Sequence, residues 1–194
     1  MSGRKRNTSD ASVLTAAINI TEREGLPNLN IIRLAEELEM RPASLYNHIK
    51  GIDEVKANVA RYALGEMDKV MRDSAIGRSR GDALLGIANA VRDFAVKRPE
   101  LYSAVNLFSA VSPDEYKKML ELHSNVIHQI LDAYISDRDV RTQFILAFRS
   151  GLHGFVSLEV IGAFGDRTDT DEHFRKMIVH LIKLLEGTDD GKGN

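Results

Sequence analysis

The run R-P-A-S-L-Y-N-H-I-K (41–50) combines small and polar side chains in an order that suits contact with nucleic acid. Pro42 is favoured at the first position of a helix, and the small residues Ala43 and Ser44 follow it. Small side chains in a first helical turn let the backbone come close to base edges in the major groove of DNA. The end of the run then supplies hydrogen-bonding groups: Tyr46, Asn47, His48 and Lys50. The predicted short helix covers residues 42–49, and its i, i+4 spacing points Leu45 and Ile49 inward.

A second short helix must lie beside this run to position it. Leu34, Ala35 and Leu38 recur at helical spacing and predict its buried stripe. Asn30 is a good N-cap for this helix, and Arg33 lies in its first turn, where backbone N–H groups favour a phosphate. Two short helices joined by a tight turn, the second opening on proline, are typical of a helix-turn-helix.

The rest of the chain is also predicted to be helical, and no strand-like alternation interrupts it. The four prolines all lie at plausible helix boundaries. The fold class is therefore all-α, an N-terminal three-helix helix-turn-helix domain followed by a C-terminal helical bundle, about nine helices in all. Apolar spacing predicts the remaining helices at about 9–24, 53–70, 81–97, 100–109, 113–135, 138–164 and 171–186.

The charge distribution favours local contact over bulk binding. The net charge is −2, but Arg4, Lys5 and Arg6 form a basic tail, and residues 40–52 contain no acid. A nearly neutral protein with local basic patches suits a specific DNA site. For the tail alone, a purely solubilising role is an equally good interpretation.

Composition and the absence of certain motifs also exclude several classes of protein. The chain has no cysteine, so it has neither disulfides nor thiolate metal ligands, which fits a cytoplasmic location. No apolar run resembles a signal peptide or approaches the roughly 20 residues of a membrane span. Nucleophile elbows, glycine-rich phosphate loops and paired-carboxylate motifs are absent from the sequence, so no enzyme activity, cofactor or metal is predicted.

The segment L-N-I-I-R-L-A-E-E-L-E-M-R-P-A-S-L-Y-N-H-I-K (29–50) resembles the DNA-binding domain of the TetR/AcrR family of transcriptional regulators. The resemblance covers about residues 9–65 and rests on L-Y-x-H (45–48) at the right distance from L-A-x-x-L (34–38). It implies a ligand-responsive repressor that binds a palindromic operator in double-stranded DNA as a homodimer. By this resemblance, Arg41, Pro42, Ala43, Ser44 and Asn47 would face base edges, Tyr46 and His48 would hold phosphates, and Asn30 would lie at the groove rim.

Two positions depart from the family pattern. Glu39 stands where the family usually has glycine, which predicts a differently wound turn. Ile52 stands where a phosphate-binding lysine is usual, and Lys50 or Lys56 could substitute for it. A TetR-like activator and a helical adaptor that binds only protein remain alternative functions.

The stretch R-S-G-L-H-G-F-V-S-L-E (149–159) resembles the regulatory domain of a TetR subgroup named for a tryptophan and a His-Gly pair, with Arg149 where the tryptophan often is. His153 lies four residues after Arg149, so the two could orient a ligand or sense an anion. Alternatively, His153 is a buried structural histidine that donates to a backbone carbonyl.

An unidentified small-molecule effector is expected in the C-terminal bundle. Such sites are mostly apolar with a few polar anchors, although the same apolar residues could simply form the core. The candidate ligand-binding residues are Phe94, Tyr102, Phe108, Met119, Asn125, Phe148, Arg149, Leu152 and His153.

The last two predicted helices carry small and apolar residues that could form a dimer interface, called here the dimer seam. Small residues at Gly151 and Gly154, beside Leu158, would allow a partner helix to approach closely, or would seat a helix of the same chain. The final helix adds a larger apolar stripe: Phe174, Met177, Ile178, Leu181 and Leu185. The predicted organisation is a DNA-binding domain over 1–70 with its basic tail at 1–8, a ligand-binding and dimerisation domain over 71–188, and a disordered tail over 189–194.

Overall fold

The structure is a computed structural model that describes residues 10–111, 113–114, 117–118, 125–165 and 169–189. Within these ranges every regular element is helical, which confirms the predicted fold class. A 3₁₀ turn covers Leu26–Asn28. The α-helices are α1 (Asp10–Glu24), α2 (Ile31–Glu37), α3 (Pro42–Leu45), α4 (Ile52–Ala75), α5 (Arg80–Lys97), α6 (Pro99–Val111), α7 (Asn125–Asp132), α8 (Arg138–Val160) and α9 (Thr170–Asp189).

Packing divides the chain into two units. The first contains the described residues of Met1–Gly65 and Arg98–Met119, and the second contains those of Glu66–Lys97 and Leu120–Asn194. Helix α4 therefore begins in the first unit and ends in the second. Helix α6 packs against α1 and so belongs to the first unit, although it lies within the predicted C-terminal region 71–188.

The first unit is built around α1, which contacts both α2 and α6. One face of α1 is buried, as its spacing predicts: Val13, Ala16, Ala17 and Ile20. The helix ends before Gly25, whose φ of +83° is the left-handed conformation that favours glycine. Arg98, just before α6, donates from Nε to the carboxylate of Glu22 in α1 at 2.7 Å. This ion pair joins the start of α6 to α1.

The second unit is built around α5, which contacts α7, α8 and α9. Its largest fully buried side chains include Phe148 of α8 and Phe174 of α9. Arg92 of α5 donates to both carboxylate oxygens of Glu159, at 2.7 and 2.5 Å, and its guanidinium lies 4.9 Å from the ring centroid of Phe174. The same guanidinium is 2.7 Å from the carboxylate of Asp171. One arginine therefore holds three helices together.

Two predicted helices have bounds in the structure that differ from the predicted ones. Helix α8 stops at Val160, short of the predicted residue 164, because Gly162 takes a φ of +72° and its N–H donates to the carbonyl of Glu159 at 2.9 Å. Of the helix predicted over 113–135, the structure describes α7, and most of its first half lies outside the described residues. In the ranges that are described, no helix is both long and apolar enough to cross a membrane.

Two glycines inside helices provide a matched test of packing. A Cβ at Gly65 would meet nothing within 4 Å, whereas a Cβ at Gly86 would lie 2.9 Å from the backbone oxygen of Ser74. We predict that Gly65→Ala raises the free energy of unfolding by about 1 kcal/mol, since alanine is the better helix former. Gly86→Ala should lower it by about 1–3 kcal/mol, because the backbone must shift. Urea denaturation at fixed protein concentration would measure both, and equal effects would contradict this assignment.

The Arg92–Glu159 pair predicts a pH dependence of stability. The hydrogen bond from Arg92 lowers the pKa of Glu159 below its ordinary value of 4.5, against the opposing effect of burial. A pKa lowered by folding contributes stability above pH 4.5, and this contribution is lost as the pH falls through the folded-state pKa. We expect Glu159→Gln to cost about 2 kcal/mol at neutral pH and progressively less in acid. Thermal unfolding across this range would test it, and a pH-independent difference would argue against the pair.

Candidate nucleic-acid interface

The predicted DNA-contacting run begins as a four-residue helix, α3. Arg41 is its N-cap in extended conformation, Pro42 is the first helical residue, and the chain continues as turns after Leu45. The helix is therefore shorter than the predicted element that extends to Ile49. Leu45 is fully buried and Ile49 is 9% exposed, so both point inward as expected. Helix α3 contacts α2, which forms the other half of the helix-turn-helix.

The opposite side of this segment faces solvent. Tyr46 is 59% exposed, and the Lys50 side chain is 91% exposed. Ser44 and His48 are half-buried. The exposed positions predicted to contact DNA are Arg41, Pro42, Ala43, Tyr46, Asn47 and Lys50. The structure thus brings together most of the side chains predicted to read bases or hold phosphates.

The first turn of α2 is closed by its own cap. Asn30 Oδ1 accepts hydrogen bonds from the backbone N–H groups of Ile32 and Arg33 at 3.0 and 3.1 Å, so the predicted N-cap is confirmed. Those two N–H groups consequently have a partner within the chain. The Asn30 side-chain amide also donates, to the carbonyl of Asn28 at 3.0 Å.

Arg33 is held by two acids of the same unit. Its guanidinium donates to Glu24 of α1 at 2.5 and 3.1 Å and to Glu36 at 2.5 Å. The hydrogen bond from Arg33 lowers the pKa of Glu24, and the two acids raise that of Arg33. Arg23 pairs in the same way with Glu37 at 2.8 Å. Arg33 therefore positions α2 against α1, a role that its place in the sequence does not predict.

The start of α4 is acidic where the family pattern has a lysine. Ile52 is half-buried at the first position, and Asp53 and Glu54 follow it on the surface. The Glu54 carboxylate accepts the backbone N–H of Lys50 at 3.1 Å and lies 3.8 Å from the Lys50 Nζ. A small depression of about 110 Å³ lies beside it, with the first residue of α1, Asp10, among its lining.

Glu39 forms the turn between α2 and α3. It adopts a φ of +55°, and Met40 N–H donates to the carbonyl of Ala35 at 2.9 Å. This is the left-handed conformation that glycine takes without strain. The expectation of a differently wound turn is therefore wrong: the turn keeps a glycine-like backbone with a glutamate in it.

The residues predicted to bind an effector do not all lie together. Phe94, Phe148 and Leu152 are buried in the second unit, whereas Tyr102 is buried in the first. The side chains of Phe108, Met119 and Asn125 lie outside what the structure describes. No group of three histidine, aspartate or glutamate side chains suited to a metal occurs among the described residues.

The Arg149 and His153 side chains are both exposed on α8. His153 Nδ1 lies 3.4 Å from Ser157 Oγ one helical turn later. The interpretation of His153 as a buried structural histidine is therefore wrong. The periodicity of α8 placed these residues on one face, but it did not indicate that this face is turned away from the core.

The predicted dimer seam divides into buried and exposed parts. Phe174, Ile178 and Leu185 are buried inside the second unit, so they stabilise this chain and are not available to a partner. Met177 and Leu181 are half-buried, while Leu158 is 45% and Leu184 70% exposed. A Cβ on Gly151 would touch Leu181 of the same chain at 3.4 Å, whereas one on Gly154 would meet nothing within 4 Å. Gly151 thus seats α9, and Gly154 stays open.

Comparison with known proteins gives the family. Residues 84–181 match the family model described as "Tetracyclin repressor-like, C-terminal domain". The chain is 31% identical over 184 residues to the HTH-type transcriptional regulator Rv0681 of Mycobacterium tuberculosis, covering 94% of this chain and 84% of that protein. This chain belongs to the TetR family of transcriptional regulators. A second relative, the HTH-type transcriptional regulator YobS of Bacillus subtilis, is 30% identical over 163 residues, which cover 81% of this chain and 82% of that protein.

Solved structures agree with the TetR fold. The putative regulatory protein SCO4313 superposes with a TM-score of 0.75 at 22% identity, over 90% of this chain and 95% of its own. SCO7222, a TetR from Streptomyces coelicolor, gives 0.69 at 15% identity, over 94% and 99%. A TetR variant from Acinetobacter baumannii, solved in complex with minocycline, gives 0.66 at 15% identity, over 96% and 97%. The Trp-His-Gly subgroup stays a prediction.

The conformation of Glu39 predicts a stability difference between two substitutions. Glu39→Gly and Glu39→Ala remove the same side-chain contacts, but only glycine relieves the positive φ. We expect the glycine variant to be more stable than the alanine variant by about 1 kcal/mol, within the cost of a left-handed L-residue. Chemical denaturation of the two variants in parallel would measure it. An alanine variant as stable as the glycine variant would show that the turn carries no strain.

Proposed function

We propose that this TetR-family regulator is a homodimeric repressor that binds a palindromic operator in double-stranded DNA and releases it when a small molecule binds. The observation that carries the proposal is the solvent-facing side of α3, where Arg41, Ala43, Tyr46 and Asn47 are exposed above the buried Leu45. In this proposal residues 1–70 bind DNA, residues 71–188 bind the effector and form the dimer, and the protein acts in the cytoplasm without catalysis.

The exposed side chains of α3 and of the residues that flank it have the chemistry to distinguish bases. An asparagine amide such as Asn47 can pair with adenine through two hydrogen bonds, and an arginine such as Arg41 can do the same with guanine. The Ala43 methyl group suits the methyl of thymine. Tyr46, His48 and Lys50 lie on the flank of this surface, where donors to phosphate set the register of the protein on the duplex.

A dimer is proposed because one short helix contacts too few base pairs to recognise a DNA site alone. A few base pairs, at about 1–3 kcal/mol each, do not distinguish one site from the non-specific sequence of a genome. Two heads related by a twofold axis read successive major grooves about 34 Å apart. The exposed apolar residues Leu158 of α8 and Leu184 of α9 support a partner surface there, with the open Gly154 on α8.

The proposal that a bound small molecule releases the DNA rests on two observations. The Acinetobacter baumannii relative was solved with minocycline, so this fold can hold a small organic molecule. In this chain, α5 and α8 contribute the aromatic residues Phe94 and Phe148 to the interior of the second unit. An effector shifts the protein only if it binds the DNA-free state more tightly than the DNA-bound state. A ligand that instead increased operator binding would favour the activator alternative.

Selection of bound sequences from a random DNA pool tests the proposal directly. We expect a palindrome whose half-sites are centred about 10 base pairs, or a multiple of that, apart. Binding should weaken steeply with salt, because phosphate contacts release counterions. Failure to enrich any sequence, together with retention that ignores salt, would favour the protein-binding adaptor instead.

Two neighbouring side chains just after α3 should have different roles, one in sequence preference and the other in overall affinity. Asn47→Ala should relax the preference at one base pair per half-site and cost about 1–3 kcal/mol there. Tyr46→Phe removes only a hydroxyl and should weaken binding roughly equally for all sequences. Fluorescence anisotropy on a panel of single-base operator variants would measure both. A changed preferred sequence for Tyr46→Phe would overturn the division of roles.

The dimer seam is tested at Gly154, where an added Cβ meets nothing of its own chain within 4 Å. We expect Gly154→Leu to weaken dimerisation and operator binding together by at least about tenfold, since a wedge separates closely packed helices. Gly65→Leu, in α4, is the matched control, because an added Cβ there also meets nothing within 4 Å. Sedimentation at micromolar concentration would decide it, and a Gly154→Leu dimer of normal affinity would remove this residue from the interface.

A further inference from the structure

Helix α3 begins without the side-chain cap that two other helices of this chain have. Asn30 caps α2 and Asp137 caps α8, each by accepting two backbone N–H groups of the first turn. At α3 the N-cap residue is Arg41, whose side chain makes no cap hydrogen bond. An arginine side chain has donors and no acceptor, so it cannot satisfy a backbone N–H. The N-cap position of α3 is therefore occupied by a residue that cannot cap it.

A missing cap matters more at α3 than at a longer helix. Of the α-helices that the structure describes, α3 is the shortest, with four residues, and it has few backbone hydrogen bonds of its own. A serine, threonine, aspartate or asparagine at the N-cap stabilises a helix. Arg41 does not serve the stability of α3 in this way, which leaves its side chain for a contact outside the chain.

The guanidinium of Arg41 also differs from its neighbours in having no partner. In the described part of the first unit, the four other arginines each donate to a side chain of the same unit. The pairs are Arg23 with Glu37, Arg33 with Glu24, Arg61 with Asn58 and Arg98 with Glu22. Arg41 is exposed, and its guanidinium has no hydrogen bond or ion pair among the described residues. Its N–H donors are therefore available to an external acceptor.

The position of Arg41 suits a base edge in the major groove. It directly precedes Pro42, Ala43 and Ser44, and the small side chains of this first turn let the backbone approach the bases closely. A guanidinium presents two parallel N–H donors, and guanine presents two acceptors, N7 and O6, on its major-groove edge. No other base offers two neighbouring acceptors there. Guanine is therefore the base that matches a free arginine at this point.

We propose that Arg41 determines specificity by binding a guanine in each half-site, from a position where a capping residue would stabilise α3. This proposal rests on the DNA-binding function proposed above and names a base that each half-site contains. One residue then affects operator preference and helix stability in opposite directions. Replacing Arg41 by serine removes the base contact and adds a cap, whereas alanine removes the contact and adds none.

The experiment compares the full-length wild type with Arg41→Ser, Arg41→Ala and a control, Lys69→Ala. The control removes one positive charge from an exposed position of the second unit. Each protein selects sequences from a random DNA pool. Fluorescence anisotropy then measures affinity for the selected duplex and its single-base variants at several salt concentrations. Thermal unfolding at fixed protein concentration measures stability, and circular dichroism establishes that all four proteins are folded.

We expect the wild type to select a guanine in each half-site and to bind at least about tenfold more weakly when that base pair is changed. Both Arg41 variants should lose this preference and keep the preferences at other positions. Their slope of log K against log salt should fall by less than the roughly 1 per subunit that a phosphate contact contributes. Arg41→Ser should melt about 2–4 °C above Arg41→Ala, because serine accepts a backbone N–H of the first turn. Lys69→Ala should match the wild type in base preference.

Three results would overturn the proposal. A half-site without guanine, or a guanine preference that survives in Arg41→Ala, would remove the base contact from Arg41. Equal weakening of all duplexes, with the salt slope lower by about 1 per subunit, would place Arg41 on a phosphate. A serine variant no more stable than the alanine variant would show that position 41 does not limit the stability of α3. Failure of the wild type to select any DNA would instead remove the proposed function, a distinct result because the wild type itself would not bind.

Discussion

The candidate recognition surface depends on the burial of two side chains. A helix of four residues, such as α3, has too few backbone hydrogen bonds to be stable alone. Leu45 and Ile49 anchor it by burying their side chains in the first unit, and α2 lies against it. Only because these residues are fixed inside do Arg41, Tyr46 and Asn47 have a fixed direction outside. The chemistry on the surface is thus determined by the packing beneath it.

Ion pairs also hold neighbouring helices together within each of the two units. Arg33 joins α2 to α1 through Glu24, and Arg92 joins α5 to α8 and α9 through Glu159 and Asp171. The two sites differ in burial: Arg33 is about one-third exposed, whereas Arg92 is 15% exposed. Solvent screens the first more than the second. The second unit therefore relies more heavily on its central arginine than the first does on Arg33.

Local signals in the sequence predicted the helices, the Asn30 cap, the Pro42 start and the inward positions of Leu45 and Ile49. Those features depend on residues within one or two turns of each other. The partners of Arg33 and the ends of α8 depend on distant contacts or on a single glycine conformation, which periodicity does not encode. Helix α9 is the clearest case, because it is apolar on more than one face. Its spacing identified Phe174 and Met177 together but could not tell which stripe its own chain buries.

Helix α6 packs in the first unit although α5, which precedes it in the sequence, lies in the second. This order has a consequence for folding during synthesis. A ribosome completes α1 to α4 first, then all of α5, before the residues of α6 emerge. Until then α1 lacks α6, which packs against it, and Glu22 lacks its partner Arg98. The nascent DNA-binding unit must therefore wait for part of the second unit to be synthesised before its own core is complete. A fragment cut at the end of α4 would carry the recognition residues but an unfinished scaffold.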